Sequence, residues 1–151
     1  MLGKLNHTQI ERLLNEQVVG RIACQRQGEL YLVPINYVYR DGCIYAHSGE
    51  GKKIRMMREN PKVCFAVDDI RSVFNWQSVV AQGTFEEITD IEEKQQALQG
   101  IIHRIMPLVT KPEGHPSHGI TEKESDVGTN VELVIYRIRL GETSGRFESA
   151  E

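Results

Sequence analysis

The chain has 151 residues, of which 40% are hydrophobic and 26% are charged, and its formal net charge is -3 at pH 7. This length fits a single domain over residues 1–151, with a core that needs neither disulfides nor a structural metal. The chain lacks the excess of basic residues that is typical of nucleic-acid-binding proteins. No apolar segment approaches the roughly 18 residues that a membrane span needs. We therefore expect a soluble, cytoplasmic protein with no nucleic-acid or membrane partner.

The first third of the sequence predicts a helix followed by a strand meander. Thr8 to Glu11 has the pattern of a capping box, and apolar residues then recur at helical spacing. Val18 to Gln25 and Leu30 to Tyr39 are rich in strand-forming residues and are separated by a turn. Pro34 cannot donate a ladder hydrogen bond, so the second strand is expected at a sheet edge or at a bulge.

The rest of the chain alternates short elements. Asp41-Gly42 favours a tight hairpin into a third strand. Later elements are predicted as a strand from Cys43 to Ala46, a helix from Gly51 to Asn60, strands from Lys62 to Asp68 and Gln77 to Ile88, a helix from Thr89 to Met106, and a strand from Val131 to Leu140. Pro107 to Thr129 is polar and is predicted to be a mobile loop. The fold class is mainly β (α+β): about six antiparallel strands in a closed or split barrel, with short flanking helices.

The turn between the third strand and the second helix has the composition of an anion site. A hydroxyl, glycines and two ammonium groups occur within Ser48 to Lys53. They precede a helix, where free N–H groups and the helix dipole favour a phosphate. Neither G-x-G-x-x-G nor G-x-x-x-x-G-K-[ST] is present, so the dinucleotide fold and the P-loop are poor fits. The sequence thus predicts another kind of mononucleotide binder.

The order of these motifs resembles the pyridoxamine 5'-phosphate oxidase-like flavoproteins, the FMN-binding split-barrel family, in its nitroimidazole-resistance-type branch. The resemblance runs through Val19-Gly20-Arg21-Ile22-Ala23, Val33-Pro34-Ile35-Asn36-Tyr37-Val38, Ile44-Tyr45-Ala46-His47-Ser48 and Ser78-Val79-Val80-Ala81-Gln82-Gly83. It implies a homodimer that binds FMN at its interface and acts as an oxidoreductase on a small molecule, with nitro-compound reduction as the favoured reaction.

The resemblance also implies a set of cofactor-binding residues. These are Val33, Pro34, Ile35, Asn36, His47, Ser48, Gly51, Lys52, Lys53, Trp76, Ser78 and Val79. Lys52 and Lys53 would hold the phosphate, and Trp76 would form an aromatic wall supplied across the dimer. His47 is the candidate catalytic residue. The ending from Gly141 to Glu148 lacks the Arg- and Pro-containing segment of true pyridoxamine phosphate oxidases, which argues against vitamin B6 oxidation.

Several alternatives remain open at this level. The lysine pair is also typical of a solvated helix face, and His47 of a structural strand-end histidine. The protein could be a non-enzymatic flavin carrier, could use the deazaflavin F420, or could be a haem-binding relative with His47 as ligand. His103, His115 and His118 lack a cysteine partner at ligand spacing, so no metal site is predicted. The three cysteines, Cys24, Cys43 and Cys64, show no C-x-x-C spacing and are predicted to be buried, reduced and structural.

Overall fold

A computed structural model describes residues 1–109 and 133–150. Most of the predicted mobile loop, Pro107 to Thr129, lies outside these described residues, as do His115 and His118. The described chain forms eight strands, three α-helices and one turn of 3₁₀ helix at Met106–Leu108. The strands are β1 Leu2–Lys4, β2 Val19–Arg26, β3 Glu29–Asn36, β4 Val38–Arg40, β5 Cys43–Ser48, β6 Lys62–Ser72, β7 Asn75–Glu87 and β8 Val134–Glu148. The helices are α1 His7–Glu16, α2 Lys52–Glu59 and α3 Ile91–Ile105.

The strands form one antiparallel sheet in the order β3-β2-β6-β7-β8-β5-β4, with β1 paired to β8. The sheet curls until β3 contacts β5, but no strand ladder joins these two strands. The result is a barrel with a slit between β3 and β5. The predicted mainly β split barrel is therefore confirmed.

Two tight hairpins account for the start of the meander. Gln27 and Gly28 have φ values of 50° and 83°, and Asp41 and Gly42 have φ values of 51° and 77°. Consecutive positive φ angles are typical of the hairpin turns that match strand twist, and glycine tolerates them at no steric cost. The two predicted turns are confirmed. β3 is a terminal strand of the sheet, which is the first of the two positions expected for a strand that contains Pro34.

The main core fills the barrel between the sheet and the first two helices. Tyr37 is fully buried, donates a hydrogen bond to the Leu14 carbonyl oxygen at 2.8 Å, and meets Phe65 edge to face with ring centroids 5.0 Å apart. α1 contributes Ile10, Leu13 and Leu14 to this core, and α2 contributes Ile54, Met56 and Met57. Burial of these apolar faces fixes both helices against the sheet.

A smaller apolar cluster lies under α3. It joins Ala97 and Leu98 of that helix to Leu133 and Ile135 near the start of β8, with Tyr45 of β5 packed against it. The side chains of β5 alternate between faces, so Ala46 points into the main core while Tyr45 points toward α3.

Some predicted boundaries were wrong. The capping residue of α1 is Asn6, whose side chain accepts from the Gln9 N–H while the Gln9 side chain accepts from the Asn6 N–H. The predicted box at Thr8 begins two residues too late. The sheet has eight described strands rather than six, because β1 and β4 have only three residues each and carry no alternating pattern of their own.

Candidate functional site

The predicted anion turn lies where β5 meets α2, next to the slit between β3 and β5. Gly51 is the N-cap residue of α2, and no side chain caps the helix there. The first N–H groups of an uncapped helix have no intrahelical partner and carry the positive end of the helix dipole. The backbone thus offers donors to an anion at this position.

Lys53 reaches back over this turn. Its Nζ donates to the Ser48 hydroxyl at 2.8 Å, and that hydroxyl donates in turn to the Gly49 carbonyl oxygen at 2.8 Å. Burial lowers the pKa of Lys53, although the nearby Cys24 opposes the shift. Among the described residues, no carboxylate forms a salt bridge with Lys53. A half-buried ammonium group beside free N–H donors is a suitable set of partners for a phosphate.

Lys52 differs from its neighbour. Its Nζ lies 2.5 Å from Glu29 Oε2 and 4.9 Å from the ring centroid of Tyr31. The hydrogen bond from Lys52 holds the pKa of Glu29 below its usual range. Lys52 therefore bridges the start of α2 to β3, and its charge is already compensated by a carboxylate.

The second group of predicted cofactor-binding residues lies along β3. Val33 and Ile35 share the inner face with Tyr31, whereas Pro34 and Asn36 lie on the outer face. One edge of β3 pairs with β2 and the other edge has no ladder partner among the described residues. Backbone N–H and C=O groups along that edge are available to a ligand in the slit.

His47 lies on β5 in register with Ile135 of β8. Strand alternation gives it the same face as Tyr45, toward the α3 cluster, and the opposite face from Ser48. The ring is half-buried. In a single chain, the candidate catalytic histidine and the phosphate turn are on different faces of the strand.

The last predicted residues lie on β7, three strands away from β3. Ser78 and Trp76 are on the outer face of the sheet, and the Trp76 Nε1 donates to Glu148 at 3.2 Å. Val79 points into the core with 0% exposure, which leaves only its backbone for a ligand. Ser48 pairs with Val134 at the start of β8, whereas Trp76 and Ser78 pair with Glu148 and Arg146 at the other end of that strand. One chain therefore does not bring Trp76 and Ser78 to the turn at Lys53.

Sequence reasoning missed the residues that surround the turn without belonging to it. Glu29 and Tyr31 contact Lys52 from β3, and Arg58 holds Glu50 from the last turn of α2. These contacts join positions far apart in the sequence or on different elements, so no local motif could have indicated them. The only signal of these contacts in the sequence was the presence of both acidic and basic residues around the turn.

No helix within the two described ranges is both long enough and apolar enough to cross a membrane. Over the same ranges, no group of three or more His, Cys, Asp or Glu side chains is arranged to hold a metal ion.

Comparison with known proteins gives a consistent result. The sequence model of the family described as pyridoxamine 5'-phosphate oxidase matches residues 6–147. An uncharacterised protein of Rhizobium meliloti is 30% identical over 132 residues, which cover 85% of this chain and 83% of that protein.

Solved structures show the same fold. An FAD-binding protein from Mesorhizobium loti superposes with a TM-score of 0.76 at 30% identity, covering 99% of both chains. A candidate 5-nitroimidazole antibiotic resistance protein from Bacteroides thetaiotaomicron superposes with a TM-score of 0.73 at 21% identity, covering 97% of this chain and 87% of the other.

Proposed function

The chain belongs to the pyridoxamine 5'-phosphate oxidase family, and from this membership we propose that it is a homodimeric FMN-dependent oxidoreductase acting on a small molecule. A nitro compound is the substrate class that we favour, because the structural relative from Bacteroides thetaiotaomicron is described as a candidate 5-nitroimidazole resistance protein. Bound flavin would supply the electron or hydride transfer, while the protein positions it and excludes water.

The environment of Lys53 is the observation that supports this proposal most directly. Its ammonium group is half-buried, donates to Ser48, and forms no salt bridge with a described carboxylate. Burying a charge without a counterion is costly, so such a group is retained where a ligand provides the opposite charge. The phosphate of a flavin mononucleotide provides it.

The turn offers one uncompensated ammonium group to the phosphate of a flavin nucleotide. Lys52 is already paired with Glu29, so only Lys53 of the two lysines has no described carboxylate partner. The terminal phosphate of FMN and the pyrophosphate of FAD carry similar total charge at neutral pH, so this ammonium group suits either one. The relative from Mesorhizobium loti is described as FAD-binding, so the distinction needs to be measured.

The outer sheet face supports the homodimer. Leu30, Leu32 and Val80 are 78%, 64% and 41% exposed on this face. Large apolar side chains exposed on one face of a sheet are typical of a protein–protein interface. A second copy on this face would cover these residues and would bring its own Trp76 and Ser78 toward the cofactor site.

The first experiment is to purify the chain without added cofactor and record its visible absorption spectrum. Denaturation and chromatography of the released compound then identify it. We expect a two-band flavin spectrum that bleaches with NADPH, release of FMN, and reoxidation by a nitroaromatic acceptor.

Other outcomes would identify the alternatives. A flavin that NADPH does not reduce would favour a carrier, and a haem band that disappears in a His47→Ala variant would favour a haem protein. Release of FAD or F420 would show that the released compound, and not FMN, is the cofactor. A colourless protein that also fails to bind added FMN would overturn the proposal.

A further inference from the structure

The anion turn carries a carboxylate of its own. Glu50 lies between Gly49 and the N-cap residue Gly51. A carboxylate at this position is well placed to accept from the free N–H groups of α2 and would repel a phosphate there. The turn can bind an anion only if the side chain of Glu50 is held elsewhere.

Arg58 holds it. The guanidinium group donates from Nη1 to Glu50 Oε2 and from Nη2 to Glu50 Oε1, both at 2.9 Å. The same group donates from Nε and Nη2 to the Glu87 carboxylate at 2.7 and 3.0 Å. Arg58 lies in the last turn of α2 and Glu87 lies at the end of β7.

These four hydrogen bonds give the turn a fixed connection to the sheet. A bidentate arginine–carboxylate pair fixes orientation as well as distance. Because Glu87 fixes the guanidinium group from β7, Glu50 is drawn along α2 toward its C-terminal end. The N-terminal end, with Lys53 and Ser48, is left free of the carboxylate.

We propose that Arg58 is a positioning residue for phosphate binding, which holds the Glu50 carboxylate away from the N-terminus of α2. This inference rests on the proposed function, because it concerns the same phosphate site. Arg58 does not touch the phosphate itself. It acts through Glu50.

The electrostatics agree with this arrangement. The hydrogen bonds from Arg58 hold the pKa of Glu50 below its usual range, so the carboxylate is charged at neutral pH. If Arg58 were removed, Glu50 would remain charged, and the free N–H groups of the helix would be its nearest donors.

The test measures FMN and riboflavin binding to the apoprotein by flavin fluorescence. Riboflavin lacks the phosphate, so it reports on the rest of the site. We expect Arg58→Ala to weaken FMN binding about tenfold, equivalent to about 1.4 kcal/mol, and to leave riboflavin binding nearly unchanged. The double variant with Glu50→Gln should restore FMN binding, because the competing charge is gone.

Arg26→Ala is the matched control. Arg26 is comparably exposed and pairs at 2.7 Å with Glu59, the last residue of α2. Its removal breaks an ion pair of the same type without releasing Glu50, so FMN binding should hardly change. Equal losses of FMN and riboflavin in Arg58→Ala, or no recovery in the double variant, would overturn the inference.

If the alanine variant does not fold, FMN and riboflavin binding are measured in an Arg58→Lys variant instead. Lysine lacks the planar fork that holds both carboxylate oxygens, so FMN affinity should fall and Glu50→Gln should again restore it. Wild-type protein that binds neither flavin would refute the proposed function. Wild-type protein that binds FMN no better than a folded Arg58→Ala variant would refute only the role of Arg58.

Discussion

Lys52 and Lys53 are adjacent in the sequence but point in different directions. Each residue of an α-helix is rotated by about 100° from the last, because there are 3.6 residues per turn. The first lysine therefore reaches Glu29 and Tyr31, while the second reaches Ser48. The two residues should contribute unequally to cofactor binding.

Replacement of each lysine by methionine tests this difference. We expect Lys53→Met to weaken FMN binding by about 1–3 kcal/mol, the range for loss of a hydrogen bond to a charged group. Lys52→Met should weaken FMN binding by less than about 1 kcal/mol, because its exposed ammonium group is already paired with Glu29. Fluorescence titration of the apoprotein measures both values, and equal losses would contradict the assignment.

The Lys53→Met variant can also be tested by its effect on the stability of the apoprotein. Burial lowers the pKa of Lys53 from its ordinary 10.5, so the folded chain releases this proton at a lower pH than the unfolded chain. Between the two pKa values the unfolded state binds more protons, and stability rises with pH across that window. Below the window the buried charge costs stability. Lys53→Met should therefore stabilise the apoprotein at neutral pH and abolish this rise in thermal unfolding curves.

The first helix shows how an element depends on its cap. Asn6 and Gln9 exchange side-chain and backbone hydrogen bonds of 2.8 and 2.9 Å, and α1 packs Leu13 and Leu14 into the core. Asn6→Ala should cost about 1 kcal/mol of unfolding free energy. Thr8→Ala is the control and should cost less than about 0.5 kcal/mol, as for an ordinary surface position. Urea denaturation measures the loss of unfolding free energy in both variants. A larger loss in Thr8→Ala than in Asn6→Ala would indicate that Thr8 is the cap.

Turns and amphipathic helices were the elements that local patterns predicted well. The Asp41-Gly42 hairpin and the helices after Gly51 and Asp90 follow from residue types that favour one local conformation. The extent of β8 did not follow in this way. Its second half, from Gly141 to Glu148, has no alternating apolar pattern and becomes a strand because it pairs with β7 and β1.

At the scale of the whole molecule, the proposed dimer makes the outer sheet face the decisive surface. Leu32→Asp would place a charge on this face, where the residue is 64% exposed in the single chain. We expect a monomer with weakened FMN binding, because burying an unpaired charge in an interface is unfavourable.

Ile91→Asp, at an exposed position at the start of α3, should leave both the oligomeric state and FMN binding unchanged. Light scattering with size exclusion gives the oligomeric state, and fluorescence titration gives the affinity. A Leu32→Asp protein that stays dimeric with normal FMN affinity would place the interface elsewhere.

The sequence by itself determined the mainly β class, the two tight turns, the apolar face of α1 and the composition of the anion turn, because each depends on residues that are near neighbours in the chain. Only the tertiary structure distinguished Lys53 from Lys52, placed His47 on the face of β5 toward the α3 cluster, and joined Glu50 to Arg58 and Glu87. Those relations depend on how α2, β3, β5 and β7 pack together. Packing depends on contacts between residues far apart in the sequence, which no local pattern records.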